Sequence, residues 1–189
     1  MSHADLTVLI LLFVACQRLA ELWLARRNAR WALRRGAIET GAAHYPLFVL
    51  LHAGFLLSLG LEIALKRGTT SLSIPFLIIF ALAQALRIWC IATLGRYWNV
   101  RIFVIPGSSS VATGPYRFLR HPNYLAVTLE LVSLPLVFHA YVTATLFSVL
   151  NYGLLRHRIA VEERALAATC DYDDRMSRRL RGFFWGRAH

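Results

Sequence analysis

The segment Gly114-Pro115-Tyr116-Arg117-Phe118-Leu119-Arg120-His121-Pro122-Asn123-Tyr124 concentrates more chemistry than any other stretch of this chain. Gly-Pro makes a turn. His121-Pro122 then opens a hydrophobic helix, where proline suits the first position because no helical N–H is lost. A helix N-terminus offers unbonded N–H groups and partial positive charge, a natural place for a carboxylate or phosphate. Arg120 and His121 add donors, and Tyr116 and Tyr124 add flat faces with hydroxyl tips. Such a cluster can hold a zwitterionic, nucleotide-like cofactor by its carboxylate and its ring. It is equally compatible with an Arg/His/Tyr belt at the start of a membrane span.

A second stretch, Arg158-Ile159-Ala160-Val161-Glu162-Glu163-Arg164-Ala165-Leu166, reads as helix. Arg158 and Glu162 are then i,i+4 partners, worth about a few tenths of a kcal/mol if exposed. Glu163 shares a face with Ile159 and Leu166, so its carboxylate lies on an apolar stripe and needs a partner. A cofactor ammonium or ribose would serve, and so would Arg120 or another arginine. A third stretch, Gly95-Arg96-Tyr97-Trp98-Asn99-Val100-Arg101, has the composition of a site mouth at the membrane surface or of an interfacial girdle. Arg87 and Glu130 fall inside apolar runs, where a charge costs roughly 2.5–3.5 kcal/mol at mid-span, so each should face other helices and have a partner. His44 and His52 are spaced two turns apart on one helical face, placed to contact a head group or act as a base, or to rest neutral and satisfied by a neighbour.

The elements that must carry these residues follow from composition. Of 189 residues, 57% are hydrophobic and 16% charged, against about 25% charged in soluble domains. The 21 Lys+Arg exceed the 10 Asp+Glu by 11, and Lys66 is the only lysine. A basic but hydrophobic chain points to a membrane with charged loops and away from nucleic acid. Cys16, Cys90 and Cys170 are far apart and show neither disulfide nor metal spacing. No cationic n-region or cleavage pattern marks the N-terminal apolar run, which therefore reads as a retained helix.

About 20 apolar residues cross a bilayer. Ala4–Leu24, Tyr45–Ala64 and Ser73–Leu94 qualify. Residues 124–155 are apolar for too long to be one span, and Pro135, His139 and the β-branched residues after it predict two helices, 124–138 and 141–155, in a tight hairpin. The segment 106–114 is a loop by turn composition. From Arg156 a cytoplasmic helix is expected to about Leu180, with Phe183, Phe184 and Trp185 near the interface. Seventeen of the twenty arginines fall in segments 25–44, 95–122 and the tail from Arg156, all on one side of a five-span arrangement. The positive-inside rule places that side, and the C-terminus, in the cytoplasm and the N-terminus outside. The expected fold is thus an all-α integral membrane protein with about five transmembrane helices, the last two a hairpin, followed by a cytoplasmic C-terminal helix. It forms one domain over 1–189, with three spans in 1–94 and the candidate site in 95–189.

Gly95-Arg96-Tyr97-Trp98, Gly114-Pro115-Tyr116, Arg120-His121-Pro122-Asn123-Tyr124 and Arg158-Ile159-x-x-Glu162-Glu163-x-x-Leu166 together resemble the isoprenylcysteine carboxyl methyltransferase family over about residues 90–175. In the N-terminal half, Arg18-x-x-Glu21, Ala25-Arg26-Arg27-Asn28-x-Arg30-Trp31, Gly36-Ala37-x-Glu39 and His44-Tyr45-Pro46 are similar to a bacterial branch paired with type III polyketide synthases, whose members O-methylate alkylpyrones or alkylresorcinols. The resemblance implies S-adenosylmethionine held between the last spans and the C-terminal helix, with Tyr116, Arg120, His121, Pro122, Tyr124 and Glu163 matching the binding pattern and Glu162 and Arg158 in support. It also implies a lipidic acceptor entering from the bilayer, either alkylpyrone- or alkylresorcinol-like or the carboxylate of a prenylated cysteine. A carboxylate acceptor needs only an oriented donor such as Arg101 or Arg96. A phenol or enol gains from a base or cation that favours its anion, as His44, His52 or Glu130 could provide. Arg101, Arg96 and His52 are the catalytic candidates. Related membrane reductases that use NADPH share part of the C-terminal signature, and a non-enzymatic membrane scaffold is the remaining alternative. Oligomeric state is left open.

Overall fold

The computed structural model describes residues 3–66 and 71–169. Five helices carry the chain: α1 (His3–Leu33), α2 (Tyr45–Leu65), α3 (Ile74–Leu94), α4 (Pro122–Val137) and α5 (Tyr141–Thr169). Three helical stretches, Asp5–Leu33, Ala42–Leu65 and Ile74–Tyr97, are long and apolar enough to cross a membrane, while α4 is apolar but shorter. Their surfaces fit that environment. Leu50, Leu57, Leu61, Leu82 and Ile88 point outward, where acyl chains would cover them.

The helices alternate in direction, so the ends collect at two poles. One pole joins the end of α2, the start of α3 and the α4–α5 turn. There Ser73 N–H donates to the Val137 carbonyl at 3.0 Å, and Glu62 accepts from the Thr143 N–H at 2.8 Å and the Thr143 hydroxyl at 2.7 Å, capping α5. The bend at residue 139 is a left-handed C-cap: His139 has φ 56°, and Ala140 and His139 N–H donate back to the Pro135 and Leu136 carbonyls. The opposite pole holds Arg26, Arg27, Arg30, Arg34, Arg35, Arg96, Arg101, Arg117, Arg120, Arg156, Arg158 and Arg164. Between the poles, Leu59, Leu134, Val137 and Phe138 form a fully buried core, with Phe55 edge-on to Phe147 at 5.7 Å.

The structure is mostly helical, as expected of an all-α membrane protein, with one addition and two corrections. The addition is a short ribbon, in which β1 (Ile38–Thr40) and β2 (Ile102–Val104) pair antiparallel, with Glu39 opposite Phe103. Alternating β-branched and aromatic residues in 102–104 suit a strand, but the sequence shows no partner nearby. The first helix runs to Leu33 instead of stopping near Leu24, because its polar end has partners: Asn28 Nδ2 donates to the Trp98 carbonyl at 2.7 Å and the Gly95 carbonyl at 3.1 Å. The last hairpin helix and the expected tail helix are one continuous α5 through Thr169. The part of that tail expected between 170 and 189, including Phe183, Phe184 and Trp185, lies outside the described residues.

Candidate active site

At the arginine-rich pole, a cavity of about 160 Å3 lies between the chain after α3, the start of α4 and the last turns of α5. Each wall has a local cause. Behind α3, Gly95–Tyr97 forms a 3-10 turn and Trp98 is buried against it, its carbonyl held by Asn28. Asn99 Nδ2 donates to the Ala25 carbonyl at 3.0 Å and its Oδ1 accepts from Arg101 N–H at 3.1 Å, which turns the chain into β2. The loop Ile105–Val111 covers one side and is tied to the end of α5 by Gly107 N–H donating to the Thr169 carbonyl at 3.1 Å. Gly114–Arg117 forms a second 3-10 turn that buries Tyr116, whose hydroxyl meets the Cys90 thiol of α3. Burial first, and the thiol second, push the Tyr116 phenol well above its ordinary range, so it stays a neutral hydroxyl.

The two motif stretches meet at the Tyr124 hydroxyl. Arg158 Nε donates to it at 2.8 Å, and it donates in turn to Glu162. Arg158 also donates from Nη2 to the Val100 carbonyl at 2.7 Å, which joins α5 to the chain behind α3. The pair expected to touch as i,i+4 neighbours is thus bridged through one phenol. Arg120, with its side chain 5% exposed, lies 3.6 Å from Glu163 through Nη1, and His121 Nε2 lies 3.2 Å from the same oxygen. Glu163 therefore has the arginine partner that was one of its two alternatives. The His121 ring stacks on Tyr124 at 5.4 Å.

Arg101, Tyr116, Arg120, His121, Tyr124, Arg158 and Glu162 line the cavity. Glu163 sits behind Arg120 and His121, and Pro122 is the buried first residue of α4. Arg101 pairs with Glu39 at 2.9 Å and lies over the Tyr45 ring at 5.1 Å. Arg96 is exposed, 5.9 Å over Trp31, and does not line the cavity. His52 is elsewhere, inside the bundle. The shared helical face expected for His44 and His52 does not exist, because His44 precedes α2 in a 3-10 turn and packs edge-on to His157 at 5.2 Å. Two contributors were not singled out for the site: Asn28, quoted only within the N-terminal stretch Ala25–Trp31, and the serine loop 108–110, which reads as ordinary turn composition.

The cavity's open valences fit a zwitterionic nucleoside cofactor. The start of α4 has no side-chain cap, so the partial positive charge of that helix end adds to the Arg120 guanidinium, with the His121 ring beside it. Glu162 supplies a carboxylate within the ring of Tyr97, Trp98, Tyr116 and Tyr124, a setting suited to an ammonium or sulfonium. Trp98 Nε1 and Asn123 Oδ1 are buried and have no hydrogen-bond partner, leaving one donor and one acceptor unfilled beside the cavity.

Residues 76–168 match the family described as "Isoprenylcysteine carboxyl methyltransferase (ICMT) family". The chain is 40% identical over 159 residues to the "Uncharacterized protein YpbQ" of Bacillus subtilis (strain 168), covering 84% of this chain and 95% of that one. It is 28% identical over 154 residues to an "Uncharacterized protein" of Haemophilus influenzae, covering 79% and 88%. No solved structure matches.

Proposed function

We propose, from the premise that this chain belongs to the isoprenylcysteine carboxyl methyltransferase family and so is a multi-pass membrane methyltransferase, that it transfers a methyl group from S-adenosylmethionine to an oxygen of a lipidic acceptor. The observation that carries this is the convergence of Arg120, His121, Tyr124, Arg158 and Glu162 on one cavity at the uncapped start of α4. All five helices cross the bilayer in this proposal, and the arginine-rich pole faces the cytoplasm, where the water-soluble donor is found.

Arg120, His121 and the α4 amides hold the cofactor carboxylate, Glu162 its ammonium or ribose, and Trp98, Tyr116 and Tyr124 its rings. The bound cofactor supplies an electrophilic methyl group on a sulfonium. The protein's share is positioning and exclusion of water, the two effects that dominate a displacement between pre-formed reactants. Tyr116, held neutral, contributes a hydroxyl without adding a charge that would compete with the acceptor. Arg101, anchored by Glu39 at the rim, orients an anionic acceptor oxygen. The acceptor's alkyl chain reaches the cavity laterally between helices. An alkylpyrone- or alkylresorcinol-like head group is favoured over a prenylated cysteine.

Titration of the purified protein with S-adenosylhomocysteine by calorimetry tests the cofactor assignment, with saturable binding expected. An absence of binding together with thermal stabilisation by NADPH would replace the methyltransferase with a reductase. Methyl transfer from labelled cofactor to an alkylpyrone versus a farnesylcysteine analogue separates the acceptors, with the alkylpyrone expected to be labelled.

A further inference from the structure

Arg96 belongs to the motif Gly95-Arg96-Tyr97-Trp98, yet it does not line the cavity that Tyr97 and Trp98 line. It lies over Trp31 of α1 instead, its guanidinium carbon 5.9 Å from the ring centre. Arg35, just past the end of α1, approaches the same ring to 4.6 Å. The Tyr97 ring meets Trp31 edge-on at 5.3 Å. Two guanidinium groups from distant segments are thus gathered on one indole.

Like charges repel, and nothing near these two cancels them. The carboxylates of this pole are taken: Glu39 by Arg101, Glu162 by Tyr124, and Glu163 by Arg120 and His121. Among the described residues no carboxylate pairs with Arg35 or Arg96. The indole face attracts each cation, but it does not neutralise the charge or fill the N–H donors. Both arginines are exposed.

Backbone geometry holds the pair in place. α1 ends in a Schellman turn, in which Gly36 has φ 75°, its N–H donates to the Leu33 carbonyl at 3.1 Å, and the Ala37 N–H donates to the Ala32 carbonyl at 3.1 Å. Arg35 immediately precedes that glycine. Arg96 is the middle residue of the 3-10 turn Gly95–Tyr97, whose first carbonyl accepts from Asn28 at 3.1 Å. A ligand at this site orders two side chains and no backbone, which keeps the entropic cost of binding low.

The depth is that of phospholipid head groups. α3 has 21 residues, about 30 Å of helix, which matches the hydrocarbon thickness of a bilayer. Arg96, just beyond its end, therefore stands at the head-group level. On α1, Trp23, Arg27, Trp31 and Arg35 recur every fourth residue, so indole and guanidinium alternate along one stripe. Helical side chains lean toward the N-terminus, which at this end of α1 is toward the bilayer. Arg27 accordingly covers Trp23, and Arg35 covers Trp31.

Two unneutralised guanidinium forks at this depth suit a phosphate, whose oxygens accept from both at once. A choline or ethanolamine head group would bring a further cation beside the two arginines. A phosphodiester with an uncharged head-group alcohol brings none. We infer that Arg35 and Arg96, gathered on Trp31, form a binding site for the phosphate of an anionic phospholipid, outside the cofactor cavity and independent of the methyltransferase reading.

Native mass spectrometry of the full chain in an uncharged detergent, titrated with phosphatidylglycerol or with phosphatidylcholine of the same acyl chains, tests the site. One phosphatidylglycerol is expected to bind about tenfold more tightly than phosphatidylcholine. Arg35→Gln with Arg96→Gln should abolish that preference. Arg26→Gln with Arg156→Gln removes the same charge from exposed arginines of the same pole, one on another face of α1 and one over Tyr152 of α5, and should keep it. Trp31→Leu leaves every charge in place and should reduce the preference. Equal affinity for the two lipids would overturn the inference. A preference lost equally in both double variants would also overturn it, leaving only the diffuse charge of the pole. Full displacement of phosphatidylglycerol by millimolar inorganic phosphate would overturn it in favour of a site for the free anion.

Discussion

The Tyr124 oxygen does two jobs: it accepts from Arg158 Nε and donates to Glu162, so one phenol orients both charges of the second motif. Tyr124→Phe keeps the ring and its stack with His121 but leaves Arg158 Nε without that partner in a buried position. A lost hydrogen bond to a charged group costs about 1.5–3 kcal/mol, part of which solvent entering the cavity recovers. S-adenosylhomocysteine affinity is expected to fall about tenfold by calorimetry, with little change in thermal stability. A Kd within twofold of wild type would show that Tyr124 is not part of the binding set. At this scale the motif residues were legible as types, yet their pairing was not. Glu163 had two candidate partners, and only the packing of α5 against the start of α4 places it on Arg120 and His121.

Helix ends decide how the elements meet. Gly114 opens the turn that buries Tyr116, with φ 55°, and a Cβ there would collide with the Thr93 side chain of α3. Gly114→Ala meets both backbone strain and a steric clash. It should lower the midpoint of thermal unfolding in detergent, by about 2 kcal/mol of stability, and weaken cofactor binding with it. His139 presents the opposite case, a bulky residue in the left-handed region at the α4–α5 bend. His139→Gly removes a penalty of about 1 kcal/mol at a C-cap that glycine prefers, so the unfolding midpoint should rise. A fall would mean that the His139 ring contact with Tyr141 outweighs the backbone term. The bend itself was readable from Pro135 and His139. The β1–β2 pairing was not, because its two strands lie more than sixty residues apart and each is only three residues long.

Across the molecule, charge does two separate things. Most arginines gather at one pole, and the proposed orientation follows from them. Ser109→Cys and Ser71→Cys, at exposed positions of opposite poles, test it with a membrane-impermeant thiol reagent. The first should label in inside-out vesicles and the second in intact cells; the reverse pattern would invert the topology. The inner charges, Arg18, Glu21, Arg87 and Glu130, cross-link α1, α3 and α4 instead. Glu21→Leu leaves two arginines facing one glutamate and should cost about 3–5 kcal/mol. Adding Arg87→Met restores the balance between Arg18 and Glu130, so the double variant should be more stable than the single one by thermal unfolding. If the two losses simply add, the four groups do not act as one network.

Sequence alone determined the membrane class, the arginine asymmetry, the second and third spans to within a residue of their helices, and the two motif stretches. These depend on composition, period and local turn chemistry, which any short window contains. The tertiary structure decided which charges neutralise which, because Arg18 and Glu130 are 112 residues apart and meet only once four helices pack. It also decided that Arg101 lines the cavity and Arg96 does not, although the two are five residues apart. A two-strand pairing and Asn28 of α1 fix the path of the chain there, and in both the partner lies more than sixty residues away, where no short window contains it.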